Sequence, residues 1–130
     1  MSTPITEQTS TPTIRATFEL DPNGNPTAVK TGDLRHYHIK LQVDGAPPDT
    51  YAVTYVLDPS YHSPVREARK SEDAFEVSLT SYGDYTVQAK IRSRDGVTTI
   101  ATPLSRALVE SYGKEPSSAI AEALENIATR

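Results

Sequence analysis

Two short segments of this 130-residue chain carry aromatic, hydroxyl and carboxylate side chains at spacings that suit ligand binding. The first reads LDPSY at residues 57–61, and the second reads SYGDY at residues 81–85. Tyrosine rings offer flat apolar faces, while hydroxyl groups offer directed hydrogen bonds. Loops of this kind on a rigid sheet are common binding sites. We therefore predict that these two loops form a ligand-binding site.

The first loop also places Asp58, Ser60 and His62 at alternate positions, which are the residue types of a nucleophilic triad. A triad requires serine–histidine and histidine–carboxylate hydrogen bonds of about 2.6–3.2 Å, together with an oxyanion hole. Three residues within one proline-containing loop seldom reach that geometry, and the Asp-Pro sequence at residues 58–59 is typical of a turn. We therefore predict no catalytic residue, and a protein that is not an enzyme.

His36 and His38 would place two imidazoles on the same face of a strand. Such a pair can bind a metal ion, but zinc sites normally use three or more protein ligands, and the one further histidine is His62. The turn sequence at residues 21–26 is too short for a phosphate-binding loop and has no following lysine. The sequence predicts neither a metal site nor a cofactor.

Alternation of apolar and polar residues predicts the strands that position the two loops. Strands are predicted at residues 14–20, 37–43, 51–57, 65–68, 75–79, 85–91 and 97–101, with Ile14, Ala16, Phe18 and Leu20 facing the core in the first of them. The strand at residues 51–57 is partly apolar on both faces, which suits a central position in a sheet. Residues 94–96 indicate a tight hairpin turn. Many short strands separated by regular turns predict a mainly β fold, an Ig-like antiparallel β-sandwich.

After residue 102 the apolar residues recur at helical spacing. Thr102 is expected to cap a first helix with Pro103 at its first position, and Gly113 is expected to end that helix. Ser117 is expected to cap a second helix. The apolar positions of this second helix are Ile120, Ala123, Leu124 and Ile127.

The predicted organisation is therefore a flexible N-terminal tail at residues 1–13, a sandwich at residues 14–102 and a helical C-terminal extension at residues 103–130. An isolated helix of about 12 residues is marginal in water, so the last helix needs an apolar surface to pack on. That surface is either the sandwich or a second copy of the chain, in which case the helix forms a homo-oligomer.

Composition narrows the classes of partner. Thirteen Lys and Arg residues against 17 Asp and Glu residues give a net charge of −4, whereas nucleic-acid-binding proteins usually carry a basic excess. The absence of cysteine fits a reducing compartment. No apolar run approaches the ~18 residues of a membrane span, and residues 1–13 lack the apolar segment of a signal peptide. We expect a soluble cytoplasmic protein with no nucleic-acid or membrane partner.

The two loops and the strands around them resemble the YEATS domain family, and its prokaryotic branch, pYEATS, more closely than the eukaryotic histone-acylation readers. The family has a hydrophobic–His–x–Ser–Phe loop after an extended strand, and residues 57–61 are similar to it, with Ser60 at the serine and Tyr61 at the aromatic position. The family then has a Gly-aromatic-Gly/Ala-x-Phe segment at the end of a later strand, and residues 81–85 occupy that place. The similarity runs from roughly Tyr37 to Ile91.

The resemblance implies a non-catalytic module that binds an acylated lysine, or a similar small acyl-amide, on a protein or peptide. The rings of Tyr61 and Tyr82 would enclose the acyl group, while Ser60 and the backbone of Tyr82 and Gly83 would hold the amide. The site implied by the resemblance includes Asp58, Ser60 and Tyr61 of the first loop and Ser81, Tyr82 and Gly83 of the second.

The chain departs from the family at two site positions. Asp58 stands where the family commonly has histidine, and Ser81 stands where it commonly has glycine. The charge of Asp58 would repel an acidic acyl group such as succinyl, or favour an unmodified cation, and Ser81 would narrow the approach to the site. The alternative is that the tyrosines only anchor loops, as in other Ig-like sandwiches, and that the protein is a structural or assembly module.

Overall fold

The computed structural model describes residues 11–129, so residues 1–10 of the predicted tail lie outside the described part of the chain. Within the described residues, eight β-strands form two four-stranded antiparallel sheets that share one apolar core, and two helices follow them. The prediction of a mainly β, Ig-like antiparallel sandwich with a C-terminal helical extension is confirmed.

The first sheet is built around one long strand, β3 (Leu34–Asp44). On one side β3 pairs with β1 (Thr13–Phe18) and then β2 (Ala28–Thr31), which lie one after the other along it. On the other side it pairs with β6 (Val77–Ser81). Alternate side chains of a strand face the core, and the buried residues of β3 are Tyr37, Ile39, Leu41 and Val43, as predicted.

The second sheet contains the other four strands. Its strand order is β5 (Val65–Ala68), β4 (Ala52–Val56), β7 (Thr86–Ser93) and β8 (Gly96–Pro103). All residues from Ala52 to Tyr55 are buried, because β4 has a strand on each side and is covered on both faces. The predicted central strand is thus confirmed, and so is the hairpin turn between β7 and β8.

Helix α1 (Leu104–Tyr112) and helix α2 (Ser118–Ala128) pack on the sandwich through their apolar faces, and the face of α2 is the one that the sequence predicted. In α2, Ile120, Ala123 and Ile127 are buried in the same core as the strands, and Leu124 is partly buried against it. Ser117 caps α2, since its hydroxyl accepts a hydrogen bond from the Ile120 N–H at 3.3 Å. Neither helix in residues 11–129 is long and apolar enough to cross a membrane.

The start of α1 differs from the prediction. Pro103 is the cap residue rather than the first helical residue, and no side chain of the cap position bonds to the helix. Instead, residues of a distant loop bond to its first turn: the Tyr85 carbonyl accepts from the Leu104 N–H at 2.8 Å, and the Asp84 carboxylate accepts from the Ser105 N–H at 2.9 Å. A carboxylate at this position also interacts favourably with the helix dipole.

Some predicted strands extend beyond the observed ones, and apolar residues assigned to them, such as Leu20, Tyr85 and Phe75, lie outside a strand. Leu20 is exposed, because β1 ends at Phe18 and the chain then enters a turn at residues 21–24. Tyr85 precedes β7. Phe75 is buried, but it precedes β6 and has a positive φ of 57°. The residue before it, Ala74, has a φ of 53°.

The bend at residues 74–75 is held by Tyr55, whose buried hydroxyl donates to the Phe75 carbonyl at 2.7 Å. We expect Tyr55→Phe to lower the free energy of unfolding by about 1–3 kcal/mol, because the carbonyl is left buried without this partner. Tyr51→Phe, at an exposed tyrosine next to the same strand, is the matched control and should change little. Urea unfolding of both variants measures the difference, and equal effects would contradict the role given to Tyr55.

The same tyrosine predicts a pH effect. Burial raises the pKa of the Tyr55 phenol above its ordinary value, so the unfolded chain loses this proton at a lower pH than the folded chain. The contribution of Tyr55 to stability is complete below pH 10 or so and is lost as the pH rises further. Above that pH, the free energy of unfolding of Tyr55→Phe should therefore fall less steeply with rising pH than that of the native chain.

Candidate functional site

The two predicted loops meet at one end of the sandwich. The first follows β4, and the second follows β6. Together they line a cleft of about 340 Å³. All six residues predicted for the site line this cleft: Asp58, Ser60, Tyr61, Ser81, Tyr82 and Gly83. A volume of this size lies at the lower end of the range for small-molecule sites.

The first loop is fixed by its own hydrogen bonds. Oδ1 of Asp58 accepts from the Ser60 N–H at 2.9 Å, and the Asp58 carbonyl accepts from the Tyr61 N–H at 3.1 Å. The hydrogen bonds from Ser60 lower the pKa of the Asp58 carboxyl below its ordinary value. Asp58 is therefore an anion at neutral pH, at the edge of the cleft.

Tyr61 forms a rigid wall of the cleft. Its hydroxyl donates to the Thr80 carbonyl at 2.6 Å, which joins the first loop to the end of β6. Its ring meets the ring of Tyr85 edge to face, with the centroids 5.6 Å apart. The Arg66 guanidinium lies 5.7 Å from the centroid of Tyr61, within the range of a cation–π contact. Because the ring is held in these ways, it presents a fixed apolar surface.

The second loop contains an internal side-chain hydrogen bond, made by Ser81, and an exposed aromatic ring, that of Tyr82. The Ser81 hydroxyl is buried and donates to the Gly83 carbonyl at 2.7 Å, so it shapes the turn. Tyr82 is 47% exposed. Its ring packs edge to face on His36, with the centroids 5.2 Å apart. Among the backbone hydrogen bonds of the loops and turns in residues 11–129, none involves the Tyr82 N–H.

Asp84 joins the cleft to helix α1. Its two carboxylate oxygens accept from the N–H and the hydroxyl of Ser105, at 2.9 and 2.7 Å. Tyr85 lies deeper, and its hydroxyl is buried without a hydrogen-bond partner in the described part of the chain. Burial, followed by the nearby Tyr61 hydroxyl, raises the pKa of Tyr85. Its phenol thus stays neutral and forms part of the floor of the cleft.

The arrangement of the polar groups does not resemble a catalytic triad. The Asp58 carboxylate bonds to the backbone of Ser60 rather than to His62. His38 bonds to the Thr27 hydroxyl at 3.1 Å, whereas His36 lines the cleft. In the described residues, no group of three or more His, Cys, Asp or Glu side chains lies close enough to hold a metal ion.

Five residues that line the cleft were not predicted as site residues: His36, His62, Thr80, Asp84 and Tyr85. Asp84 and Tyr85 belong to the predicted second loop, and His62 follows the first, so their proximity was visible in the sequence. His36 comes from β3. Its position follows from strand pairing. Tyr37 pairs with Ser81 in the antiparallel ladder, so His36, the residue before Tyr37, lies opposite Tyr82, the residue after Ser81.

A second, polar cavity of about 200 Å³ lies on the other side of Tyr82. Its remaining lining residues are Asp33, Leu34, Arg35, Glu122 and Asn126. Nη1 of Arg35 lies 3.5 Å from the Glu122 carboxylate, and the Asn126 amide donates to the Tyr37 hydroxyl at 2.7 Å. Helix α2 therefore extends the surface around Tyr82 beyond the two loops.

Comparisons with known proteins agree on one family. A family model described as the prokaryotic YEATS domain matches residues 37–102. No curated protein matches the sequence. Solved structures of a YEATS domain share the fold at low identity. The Yaf9 YEATS domain recognising an H3K122suc peptide has a TM-score of 0.53 at 16% identity, and covers 88% of this chain and 94% of that one.

Two further structures of the same domain are similar. The Yaf9 YEATS domain bound to H3K27ac has a TM-score of 0.51 at 16% identity, over 84% of this chain and 78% of that one. The yeast AF-9 homologue Yaf9 has a TM-score of 0.52 at 17% identity, over 92% of this chain and 96% of that one.

Proposed function

The chain belongs to the prokaryotic YEATS domain family, and from this premise we propose that it is a non-catalytic recognition module for an acylated lysine, or a similar small acyl-amide, on a protein or peptide. One observation carries the proposal: the rings of Tyr61 and Tyr82 line one cleft with Ser60 and Gly83. The similar Yaf9 domain has been solved with H3K122suc and H3K27ac.

Each part of the proposed ligand has a counterpart in the cleft. The acyl group packs on the fixed ring of Tyr61 and is covered by Tyr82, since flat groups stack on aromatic faces. The amide carbonyl accepts from the Tyr82 N–H, and the Ser60 hydroxyl bonds to the amide from the opposite loop. Acylation also removes the charge of the lysine, so that no ammonium group has to be desolvated.

The flanking peptide is proposed to cross Tyr82 and enter the cavity at Arg35 and Glu122. An acyl group of about five heavy atoms yields only a few kcal/mol, so a single modified lysine would bind with a dissociation constant of about 10⁻⁴–10⁻³ M. Contacts outside the cleft must supply any further affinity. The net charge of −4 favours a peptide with basic flanking residues.

The alternative of an assembly module that oligomerises through α2 has less support. Ile120, Ala123 and Ile127 are buried within a single copy of the chain. The apolar face that would have joined two chains is thus already covered by the sandwich.

Calorimetric titration of the full chain with one peptide sequence in acetylated, crotonylated, succinylated and unmodified forms tests the proposal. We expect the neutral acylated forms to bind. The unmodified form should bind at least about tenfold more weakly, because its ammonium group would have to be desolvated. Equal binding of all four forms, or of none, would exclude acyl-lysine recognition.

Asp58 is expected to set the preference among acyl groups. Its carboxylate lines the cleft and repels the free carboxylate of a succinyl group. Asp58→Asn should therefore improve succinyl-peptide binding by roughly threefold to tenfold at low salt, and change acetyl-peptide binding little. Asp95→Asn removes the same charge at the opposite end of β7 and is the matched control. A uniform effect of Asp58→Asn on both peptides would argue against this selectivity.

A further inference from the structure

The free edges of a sheet are where other chains can pair, and most edges of this protein are protected. On β1, the outward Ala16 carbonyl accepts from the Ser111 hydroxyl, and the Phe18 N–H donates to the Tyr112 hydroxyl. On β6, the Ser78 carbonyl accepts from Arg66. Strand β5 itself carries Arg66 and a glutamate, and β2 carries a lysine.

Within residues 11–129, the outer edge of strand β8 has neither of these protections, a side-chain hydrogen bond or a charged residue, although β8 contacts β1 and α1. Its eight residues, GVTTIATP, include no charged side chain, and Gly96 to Thr99 are exposed. Val97 is 60% exposed. In residues 11–129, β8 pairs only with β7 and lies at the end of its sheet. An uncharged, β-branched edge of this length is unusual in a protein that remains monomeric.

The ladder with β7 determines which backbone groups of β8 point outward. The two-residue hairpin closes with the pair Ser93 and Gly96. The closing pair of such a hairpin exchanges both hydrogen bonds. Alternate residues from Gly96 onward bond to β7. The N–H and carbonyl groups of Val97, Thr99 and Ala101 therefore point away from the sheet, and Pro103 ends the series without an N–H group.

We propose that this edge, residues 97–101, binds the same edge of a second copy of the chain, antiparallel and about a two-fold axis at Thr99. Thr99 then faces Thr99 of the other copy, and Val97 faces Ala101. Each of these pairs exchanges both of its hydrogen bonds. The two four-stranded sheets become one continuous sheet.

The composition of β8 favours a second copy over a different partner. An isologous interface places a residue on the axis opposite itself, so any charge there would face a like charge. Thr99 avoids this repulsion, and threonine pairs across strands are favourable. The flanking Thr98 and Ile100 are also uncharged, so the register is self-complementary over its length.

Sedimentation velocity on the full chain over a range of concentrations tests the inference. We expect a reversible dimer for the native chain. Thr99→Lys and Thr99→Asp should each weaken self-association by about tenfold or more, because each places like charges on the axis. An equimolar mixture of the two variants should recover the dimer, because lysine then faces aspartate.

Val65→Lys is the matched control. Val65 is 60% exposed, as is Val97 of β8, but it lies on the opposite edge of the same sheet. It should leave the dimer unchanged. Circular dichroism verifies that all variants keep their fold, which is expected because Thr99 is exposed. A monomeric native chain, or a dimer that Thr99→Lys leaves intact, would overturn the inference.

Discussion

Tyr82→Ala is expected to weaken binding of an acetyl-lysine peptide by about 10- to 100-fold, the loss typical of a central aromatic contact in a binding site. The substitution removes the ring that covers the acyl group in the proposed complex. The fold should be unaffected, because the side chain is 47% exposed and its aromatic contact is with His36 at the surface. Titration calorimetry gives the loss of affinity, and thermal unfolding verifies the fold.

Tyr51→Ala is the matched control, because Tyr51 is a similarly exposed tyrosine that does not line the cleft. Its affinity for the peptide should stay within about twofold of the native value, as expected for a substitution away from a binding site. If Tyr82→Ala bound as tightly as the native chain, the second loop would have no part in recognition. Tyr61→Ala is a poorer test, since Tyr61 also joins its loop to the Thr80 carbonyl.

Ile127→Ala is expected to lower the free energy of unfolding by about 2–5 kcal/mol, the cost typical of truncating a large buried aliphatic side chain. Ile127 is fully buried in the last turns of α2. Its side chain contributes to the core of the sandwich. The prediction therefore tests whether α2 is part of the domain rather than an appendage. Urea unfolding followed by circular dichroism measures it.

Val109→Ala provides the comparison, because it also truncates an aliphatic residue on a helix, but at an exposed position. Its expected effect is within about 0.5 kcal/mol. If the two substitutions lowered the free energy of unfolding by similar amounts, α2 would not pack on the sandwich in solution. A large cost for Ile127→Ala that depended on protein concentration would instead indicate packing between two chains.

The elements that the sequence predicted well are those with a strong apolar period. The alternation from Tyr37 to Val43 identified β3, and the mostly apolar run of β4 was recognised as a central strand. The apolar stripe of α2 was also clear, and Ser117 was correctly assigned as its cap. In each case burial follows from a local apolar pattern, either periodic or continuous, which the sequence displays directly.

The elements that were missed depend on contacts between distant residues. Strand β2 (Ala28–Thr31) is fully exposed, so it lacks any alternation, and its pairing with β3 is what makes it a strand. The cap of α1 comes from Asp84, 21 residues before Ser105, rather than from the adjacent Thr102. No local pattern reports either contact.

The candidate site shows the same division. The two loops were found from their residue types, and the structure brings all six predicted residues to one cleft. The contact between His36 and Tyr82 requires the register of β3 with β6. The second cavity requires α2 to pack beside β3, which places Glu122 next to Arg35. Side chains from outside the loops could therefore be assigned only from the folded structure.

Amide chemical shifts of the labelled full chain, followed during titration with an acetyl-lysine peptide and its unmodified counterpart, test the central proposal most directly. The acetylated peptide should shift the amides of Ser60, Tyr61, Tyr82 and Gly83, and the unmodified peptide should leave them in place. Identical shifts with both peptides, or shifts confined to residues away from these two loops, would contradict acyl-lysine recognition by this cleft.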